Sequence, residues 1–288
     1  MGGTVFLNGE FMPRSRARIS PDDRGFLFGD GLYEVTPAYG GRFLALDRHL
    51  ARLQRGTKEL RMAFPQGLEE LHRELLRRND LEDEEMSIVY LQVTRGTAPR
   101  THHFPDPSVP ATVYAWARAF ERPTREAWEK GFSAVSVVDR RWARADLKTI
   151  QLLPQVLAQQ DAREGGATDA LLVRDGLALE GAHNNVFFVF GDTLVTHPAS
   201  NQILPGITRE IVLGLARENG IPVKERPVSL AEAHQAAEIF FTGTTTEVRP
   251  TVRLDGRPVG EGTVGPLTRR LQTAFLARVS RECGAAVT

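Results

Sequence analysis

The chain of 288 residues contains a single cysteine, Cys283. One thiol cannot form an internal disulfide, so the sequence does not belong to the disulfide-rich class of secreted proteins. No apolar run approaches the ~18–20 residues that a membrane-spanning helix needs. The first residues, MGGTVFLNGEFMP, lack the basic and apolar segments of a signal peptide. These absences predict a cytoplasmic protein without a membrane span.

The sequence also has no excess of charge of either sign. Its 36 Lys and Arg residues are balanced by 36 Asp and Glu residues. Such a balance gives no general attraction to nucleic acid or to an anionic membrane, so neither is predicted as a partner. Any site for an anion must be local.

Several catalytic motifs are absent: GxSxG, GxxxxGK[ST], HExxH and CxxC do not occur. Of seven histidines, only the adjacent His102 and His103 form a close pair, and neighbours in sequence rarely face one metal. No metal site is therefore predicted. The chemistry has to come from lysine, carboxylates and a site that binds an anion.

Turn and periodicity signals predict a mixed α+β fold, without the regular βαβ alternation of a Rossmann fold. Asn8-Gly9 predicts a hairpin between two short strands. Apolar spacing predicts a helix capped by Asp47, a helix over Leu68–Arg77 and a helix from Thr149 to Arg163.

The length of the chain is near the limit for one hydrophobic core, which favours two domains. Pro123 interrupts the pattern, and the pattern restarts after it. We predict an N-terminal domain over residues 1–120, a linker over 121–124 and a C-terminal domain over 125–288.

Lys148 lies in the segment WARADLKTI, between a predicted strand and a predicted helix, with apolar neighbours. Withdrawal from water favours the neutral, nucleophilic form of an amine. The alternative is a surface lysine whose stem covers apolar surface. Taken alone, the residue favours that alternative, so the interpretation depends on its context.

That context is one carboxylate and two small-residue turns. Glu180, in GLALEGAHNNVFF, can pair with a pyridine nitrogen and keep it protonated, which makes the ring of pyridoxal phosphate (PLP) an electron sink; the alternative is a turn glutamate in water. The segments LPGITR and TGTTTE have the hydroxyls and the turn before a helix that bind phosphate, and Arg52 can supply a counter-charge. Together they match a cofactor with one phosphate, one aldehyde and one ring nitrogen.

Along nearly its whole length the chain resembles the class IV (fold type IV) PLP-dependent aminotransferases. The resemblance rests on several segments in the same order: DDRGFLFGDGLYEV, VTRGTAPRTHHFP, DRRWARADLKTIQLLPQVLA, EGAHNNVFF, THPASNQILPGITR and FFTGTTTEV. The pair Arg100-x-His102 resembles the subgroup that is specific for D-amino acids. The chain departs from the family pattern at three places: Ala182-His183-Asn184 replaces a serine run, Gly243 replaces a serine, and Pro37 replaces an ordinary strand residue.

The resemblance implies a fold and a set of roles. The fold is α+β, with a smaller N-terminal α/β domain, a larger C-terminal pseudo-barrel domain, and PLP between them in a homodimer. Lys148 is implied as the Schiff-base lysine and the proton-transferring base, and Glu180 as the partner of the pyridine nitrogen. The phosphate is implied to be held by Arg52, Ile207, Thr208 and Thr244. Leu204 is implied to pack on the ring, and Arg141 to lie near the cofactor. The substrate carboxylate is implied to be bound by Tyr33, Arg100 and His102, the last two from the neighbouring subunit.

The predicted function is transfer of an amino group between a D-amino acid, such as D-alanine, and a 2-oxo acid, such as 2-oxoglutarate. Two alternatives share the fold: a branched-chain L-amino-acid aminotransferase and an aminodeoxychorismate lyase. A more remote alternative is a non-catalytic dimeric binding protein that has kept the scaffold.

Overall fold

The computed structural model describes residues 3–285. Those residues form sixteen strands and eight helices, besides a 3-10 turn at Arg14–Arg16. The strands are β1 (Thr4–Leu7), β2 (Glu10–Pro13), β3 (Gly31–Tyr39), β4 (Arg42–Phe43), β5 (Ser87–Thr94), β6 (Thr112–Ala119), β7 (Phe132–Val138), β8 (Asp169–Arg174), β9 (Leu177–Gly181), β10 (Asn185–Phe190), β11 (Thr193–Thr196), β12 (Val223–Glu225), β13 (Val228–Ser229), β14 (Glu238–Gly243), β15 (Glu247–Leu254) and β16 (Arg257–Pro258). The helices are α1 (Arg24–Phe28), α2 (Leu46–Glu59), α3 (Leu68–Arg78), α4 (Arg125–Lys130), α5 (Leu153–Glu164), α6 (Ile207–Glu218), α7 (Leu230–Ala233) and α8 (Pro266–Cys283).

The described residues divide into two compact units. The first comprises residues 3–121, 147–151 and 279–285, and the second comprises 122–146 and 152–278. Residues 147–151 therefore group with the first unit, whereas the sequence prediction assigned them to the C-terminal domain. Backbone pairing explains this placement: the Tyr33 N–H donates to the Lys148 carbonyl at 3.0 Å, and Leu32 forms a β-bridge with Thr149.

The first unit is built on an antiparallel six-stranded sheet in the order β2-β1-β6-β5-β3-β4. The predicted hairpin joins β1 to β2, and both Asn8 and Gly9 have positive φ angles, 48° and 100°. A two-residue hairpin of this kind needs positive φ at both positions, which Asn and Gly tolerate. The hairpin prediction is therefore confirmed.

Helices α2 and α3 contact this sheet and bury one face each. In α3 the buried positions are Leu68, Leu71, His72, Leu75 and Leu76. Their spacing of three and four residues places them on one stripe, as an amphipathic helix requires. The stripe is part of the core of the first unit, together with Leu32, Val89 and Leu91 of the sheet.

The second unit contains a ten-stranded mixed sheet in the order β12-β11-β10-β14-β15-β7-β8-β9-β13, with β16 paired to β15. Strand β8 is buried on both faces: Leu171 lies in one apolar cluster, and Ala170 and Leu172 lie in another. A strand covered on both sides has a continuous apolar sequence instead of an alternating one. This arrangement brings β9, β10 and the start of α6 to the cluster around Glu180 described below.

Two predicted helix starts are wrong. Helix α5 begins at Leu153 and not at Thr149, because Thr149 pairs with β3 and Pro154 suits the first turn of a helix. Helix α2 begins at Leu46 with Ala45 at the N-cap, so Asp47 lies inside the first turn. A carboxylate there still interacts favourably with the helix dipole.

Residues 3–285 contain neither a helix that could span a membrane nor a cluster of metal ligands. No helix is long and apolar enough to span a bilayer. No group of three or more His, Cys, Asp or Glu side chains is arranged to hold a metal ion.

Candidate active site

Lys148 is a half-buried residue attached to the edge of β3. Its Nζ lies 4.1 Å from the ring centroid of Tyr33, and its carbonyl accepts a hydrogen bond from the Tyr33 N–H. An ammonium over an aromatic face is attracted by the ring quadrupole. The structure thus brings together two predicted site residues, the catalytic lysine and one residue of the carboxylate trap.

The Tyr33 ring is the first of three aromatic rings in a row across β3, β5 and β6. Tyr33 stacks on Tyr90 at 5.7 Å, and Tyr90 stacks on Trp116 at 5.3 Å. Cross-strand aromatic pairs of this kind stabilise a sheet and restrict the side chains in it. The ring beneath Lys148 is therefore held in place by its neighbours.

Arg52 makes a bidentate ion pair with the buried Glu34, at 2.8 Å for both Nε and Nη2. His49 Nδ1 lies 2.9 Å from Glu34 Oε2, the oxygen that also accepts from Arg52 Nη2. A carboxylate only accepts hydrogen bonds, so this nitrogen of His49 carries the proton. The sequence prediction included Arg52 and missed Glu34 and His49.

Burial and the neighbouring charges together set the pKa values of Glu34 and His49. Burial works to raise the pKa of Glu34, but the Arg52 guanidinium and the His49 ring outweigh it and hold that pKa well below its usual range. Burial lowers the pKa of His49, and the charges of Arg52 and Lys148 lower it further against the effect of Glu34. The cluster therefore contains an ionised Glu34 and a neutral His49.

Arg100 and His102 lie between β5 and β6 and are exposed in the single chain. Both pack against Phe28: the Arg100 Cζ is 5.2 Å from the ring centroid, and the His102 and Phe28 ring centroids are 5.7 Å apart. The two predicted donors thus share one aromatic contact. A solvated basic loop without a binding role would be exposed in the same way, so the predicted role of these residues stays a prediction.

Glu180 lies in β9, not in a turn, and only 3% of its surface is exposed. Its carboxylate accepts hydrogen bonds from the Leu204 N–H at 3.1 Å and from Asn185 Nδ2 at 2.8 Å. Arg141 Nη1 also donates to it. The alternative of a turn glutamate in water is excluded, because this carboxylate is buried and held by three donors.

Burial raises the pKa of Glu180 to about 7, against the lowering effect of Arg141 and the Leu204 N–H. Arg141 is a shared partner, because its Nε and Nη2 bind the two oxygens of Asp139 at 2.9 and 3.0 Å. The charge of Asp139 also repels that of Glu180. Arg141 therefore neutralises Glu180 only in part, and a positively charged donor next to Glu180 would be stabilised.

Asn185 joins the Glu180 cluster to the turn before α6, and the sequence prediction did not single it out. Its Nδ2 donates to Glu180 and to the Leu204 carbonyl at 2.9 Å. A Cβ at Gly206 would come within 2.0 Å of Asn185 Oδ1, so this turn requires glycine. The only signal in the sequence was the position of Asn185 inside the segment EGAHNNVFF.

The start of α6 has the features of a phosphate site. Ile207 and Thr208 are its first two residues, and the N-cap, Gly206, provides no side-chain cap. The first N–H groups of a helix bind anions, and the Thr208 hydroxyl adds a donor. These residues fit a phosphate monoester, and their role in holding it stays a prediction.

The second predicted turn follows β14 and carries the half-buried Thr244. The neighbouring Thr242 is 1% exposed, and its Oγ1 has no hydrogen-bond partner within residues 3–285. A buried hydroxyl without a partner is unusual, which fits a position beside a bound polar group. His183, the departure before β10, is exposed.

Residues 31–254 match the family model of the class IV aminotransferases. The match covers most of the chain, and the chain therefore belongs to the class IV aminotransferase family. The D-alanine aminotransferase of Staphylococcus haemolyticus is 39% identical over 274 residues, which are 94% of this chain and 96% of the relative. The D-alanine aminotransferase of Bacillus licheniformis is 40% identical over 271 residues, or 94% and 95% of the two chains.

Solved structures give the same fold. The branched-chain amino acid aminotransferase of Escherichia coli aligns with a TM-score of 0.89 at 27% identity, over 96% of this chain and 94% of that one. A second branched-chain amino acid aminotransferase, solved with pyridoxamine 5'-phosphate, aligns with a TM-score of 0.87 at 28% identity, over 99% and 95%. The predicted fold type IV, the PLP cofactor and the enzyme class are confirmed: the chain is a PLP-dependent aminotransferase.

Proposed function

We propose that this enzyme transfers the amino group of a D-amino acid, such as D-alanine, to a 2-oxo acid, such as 2-oxoglutarate. The observation that carries the substrate class is the Arg100-Thr101-His102 segment, with both donors grouped around Phe28. Sequence identity supports the same choice. It is 37–40% to the D-alanine aminotransferases and 26–29% to the named branched-chain enzymes of known structure.

When bound, PLP supplies an aldehyde that condenses with an amine and a protonated ring that accepts electrons from the substrate Cα. Lys148 Nζ is the amine that binds the cofactor and then moves the proton at Cα. The ring centroid of Tyr33 lies 4.1 Å from that nitrogen, and the ring helps to hold it in place. Glu180 accepts a hydrogen bond from the ring nitrogen, and Arg141 and the Leu204 N–H hold Glu180 in position.

The remaining predicted residues bind the two anionic groups. Ile207, Thr208 and Thr244 bind the phosphate, with Arg52 as the counter-charge, and Leu204 packs against the ring. Arg100, His102 and Tyr33 bind the substrate carboxylate, since arginine offers a planar pair of donors that fixes orientation as well as charge. A D-amino acid anchored there directs its Cα–H towards Lys148, and an L-amino acid held in the same way directs it away.

Replacing Arg100 tests this assignment. Hydrogen bonds to a charged group contribute roughly 1.5–3 kcal/mol, so Arg100→Ala should lower kcat/KM for D-alanine by roughly 10- to 150-fold. Cofactor absorbance should not change, because the side chain is assigned to the substrate. His103→Ala, which removes the exposed neighbouring histidine, is the matched control. A silent Arg100→Ala variant would contradict the D-amino-acid assignment and leave the aminotransferase class intact.

The second candidate function is that of a branched-chain L-amino-acid aminotransferase. The observation in its favour is the TM-score of 0.89 to the Escherichia coli enzyme of that name. The backbone fold is shared by enzymes of different specificity, so this similarity bears less on the substrate than the side chains do.

The proposed assembly is a homodimer in which Arg100 and His102 act from the neighbouring subunit. An exposed apolar stripe on α5 supports self-association: Leu153, Val156 and Leu157 are 69%, 59% and 47% exposed. Their spacing of three and four residues places them on one face of the helix. Exposed apolar patches of this kind mark protein–protein contacts.

A further inference from the structure

Arg24 is a buried arginine that contacts the segment carrying both predicted carboxylate donors. It is 3% exposed, and its Nη1 donates to the carbonyl of Thr101 at 2.7 Å. Thr101 is the residue between Arg100 and His102. The guanidinium therefore holds the stretch of backbone from which both side chains project.

Arg24 is held by the Asp30 carboxylate, which a second arginine, Arg95, also binds. Arg24 Nε donates to Asp30 Oδ2 at 2.9 Å, and the same carboxylate accepts from Arg95 at 2.7 and 3.0 Å. Arg95 Nη2 also donates to the Leu60 carbonyl at 2.9 Å, which ties the group to the end of α2. Charge-assisted hydrogen bonds of this kind are among the strongest in proteins, so Arg24 has little rotational freedom.

The Phe28 ring is contacted by Arg24 as well as by the two donors. The Arg24 Cζ lies 4.7 Å from its centroid, compared with 5.2 Å for the Arg100 Cζ. Asp23 holds the two ends of the segment 95–111, because it accepts hydrogen bonds from the hydroxyls of the flanking residues Thr94 and Thr112 at 3.0 and 2.6 Å. Residues 95–111 are thus anchored at both ends and at Thr101.

We propose that Arg24 is a positioning residue for the substrate carboxylate: through the Thr101 carbonyl it holds Arg100 and His102 ready to bind. The inference rests on the proposed function of those two residues. An ordered loop costs less entropy on binding than a mobile one, because its conformation is set before the ligand arrives. The carboxylate is bound in the ground state and in the transition state alike, so loss of the anchor should raise KM more than it lowers kcat.

The test uses the PLP-loaded enzyme with Arg24→Lys and Arg24→Met. Lysine keeps the charge but has one ammonium group, which cannot reproduce the guanidinium geometry that binds Asp30 and Thr101 together. Both variants should raise the KM for D-alanine by about tenfold or more and change kcat by about twofold or less. The inhibition constant of propionate, a carboxylate that cannot react, should rise by the same factor. Lower thermal stability with KM and the inhibition constant unchanged in Arg24→Lys would overturn the inference.

Two comparisons separate the possible failures. Arg61 is an exposed arginine whose Cζ lies 5.5 Å from the ring centroid of Phe104, a residue of segment 95–111. Arg61→Met removes this guanidinium and should leave KM unchanged. An equal rise in KM in Arg61→Met would overturn a specific role for Arg24. If Arg100→Ala raises KM and Arg24→Lys does not, the positioning role alone is wrong. If Arg100→Ala is also silent, the proposed carboxylate site is wrong and the role of Arg24 falls with it.

Discussion

Glu34 and Glu180 are buried carboxylates whose pKa values move in opposite directions. Glu34 has the Nε and Nη2 of Arg52 and the Nδ1 of His49, and these donors outweigh burial. Glu180 has one nitrogen of Arg141, because Asp139 takes the others, and burial then dominates. The difference follows from how many guanidinium nitrogens each carboxylate receives: two from Arg52 at Glu34 and one from Arg141 at Glu180.

This difference predicts a pH-dependent stability of the PLP-free protein. Burial raises the pKa of Glu180 from 4.5 to about 7, so the folded chain keeps a proton that the unfolded chain has released between those values. The contribution of Glu180 is present below about pH 4.5 and is lost as pH rises to about 7, by about 3 kcal/mol. Chemical denaturation of the protein and of Glu180→Gln across this range measures it. The free energy of unfolding of the protein should fall relative to that of the variant, and parallel curves would contradict the assignment.

Lys148 gives the second prediction at this scale. Lys148→Ala should abolish turnover, because the amine that binds the cofactor and moves the proton is lost. Borohydride reduction of the loaded enzyme, followed by peptide mapping, should attach the cofactor to Lys148 in the protein and to no residue in the variant. Reduced cofactor covalently attached to another lysine of Lys148→Ala would mean that this other lysine carries PLP.

Residue chemistry read from the sequence singled out Lys148, Glu180 and Arg52 because each has a side chain that the cofactor requires. It missed Glu34, His49 and Asn185, because their importance depends on pairing between segments. Glu34 binds Arg52 only when β3 packs against α2, and no local sequence pattern indicates that contact. Residues that hold a predicted site residue in this way can be identified only from the folded structure.

At the scale of elements, the predicted and observed boundaries differ where tertiary contacts override local propensity. Helix α3 agrees closely with the predicted helix over Leu68–Arg77, because it has a clear apolar spacing of its own. The start of α5 does not agree: Thr149 forms a β-bridge with Leu32 of β3, the Ile150 N–H donates to the Gly31 carbonyl at 3.2 Å, and the helix begins only at Leu153. That pairing is also what places Lys148 beside Tyr33.

The exposed stripe on α5 predicts self-association. Val156→Lys places a charge in the middle of the stripe, where burial of an unpaired charge is costly, and should shift a dimer towards the monomer in sedimentation velocity. Gln66→Lys adds the same charge at an exposed polar position outside α5 and should leave the assembly unchanged. If Val156→Lys sediments like the parent protein, α5 lies outside the interface.

At the scale of the whole molecule, the predicted site residues are divided between the two units. Lys148, Tyr33, Arg52, Arg100 and His102 belong to the first, and the Glu180 cluster and the turns at Ile207 and Thr244 belong to the second. Each unit has its own apolar core, so each can hold its share of these residues rigidly. The order of motifs along the chain made the family predictable, because six separate segments had to agree.

The most direct test of the account is the preference of the PLP-loaded enzyme between D-alanine and L-leucine, each with 2-oxoglutarate. The two amino donors differ in configuration and in side chain, and they represent the two specificities that the fold supports. With the carboxylate bound by Arg100 and His102, kcat/KM for D-alanine should exceed that for L-leucine by about 100-fold or more. Faster transamination of L-leucine would contradict the D-amino-acid assignment.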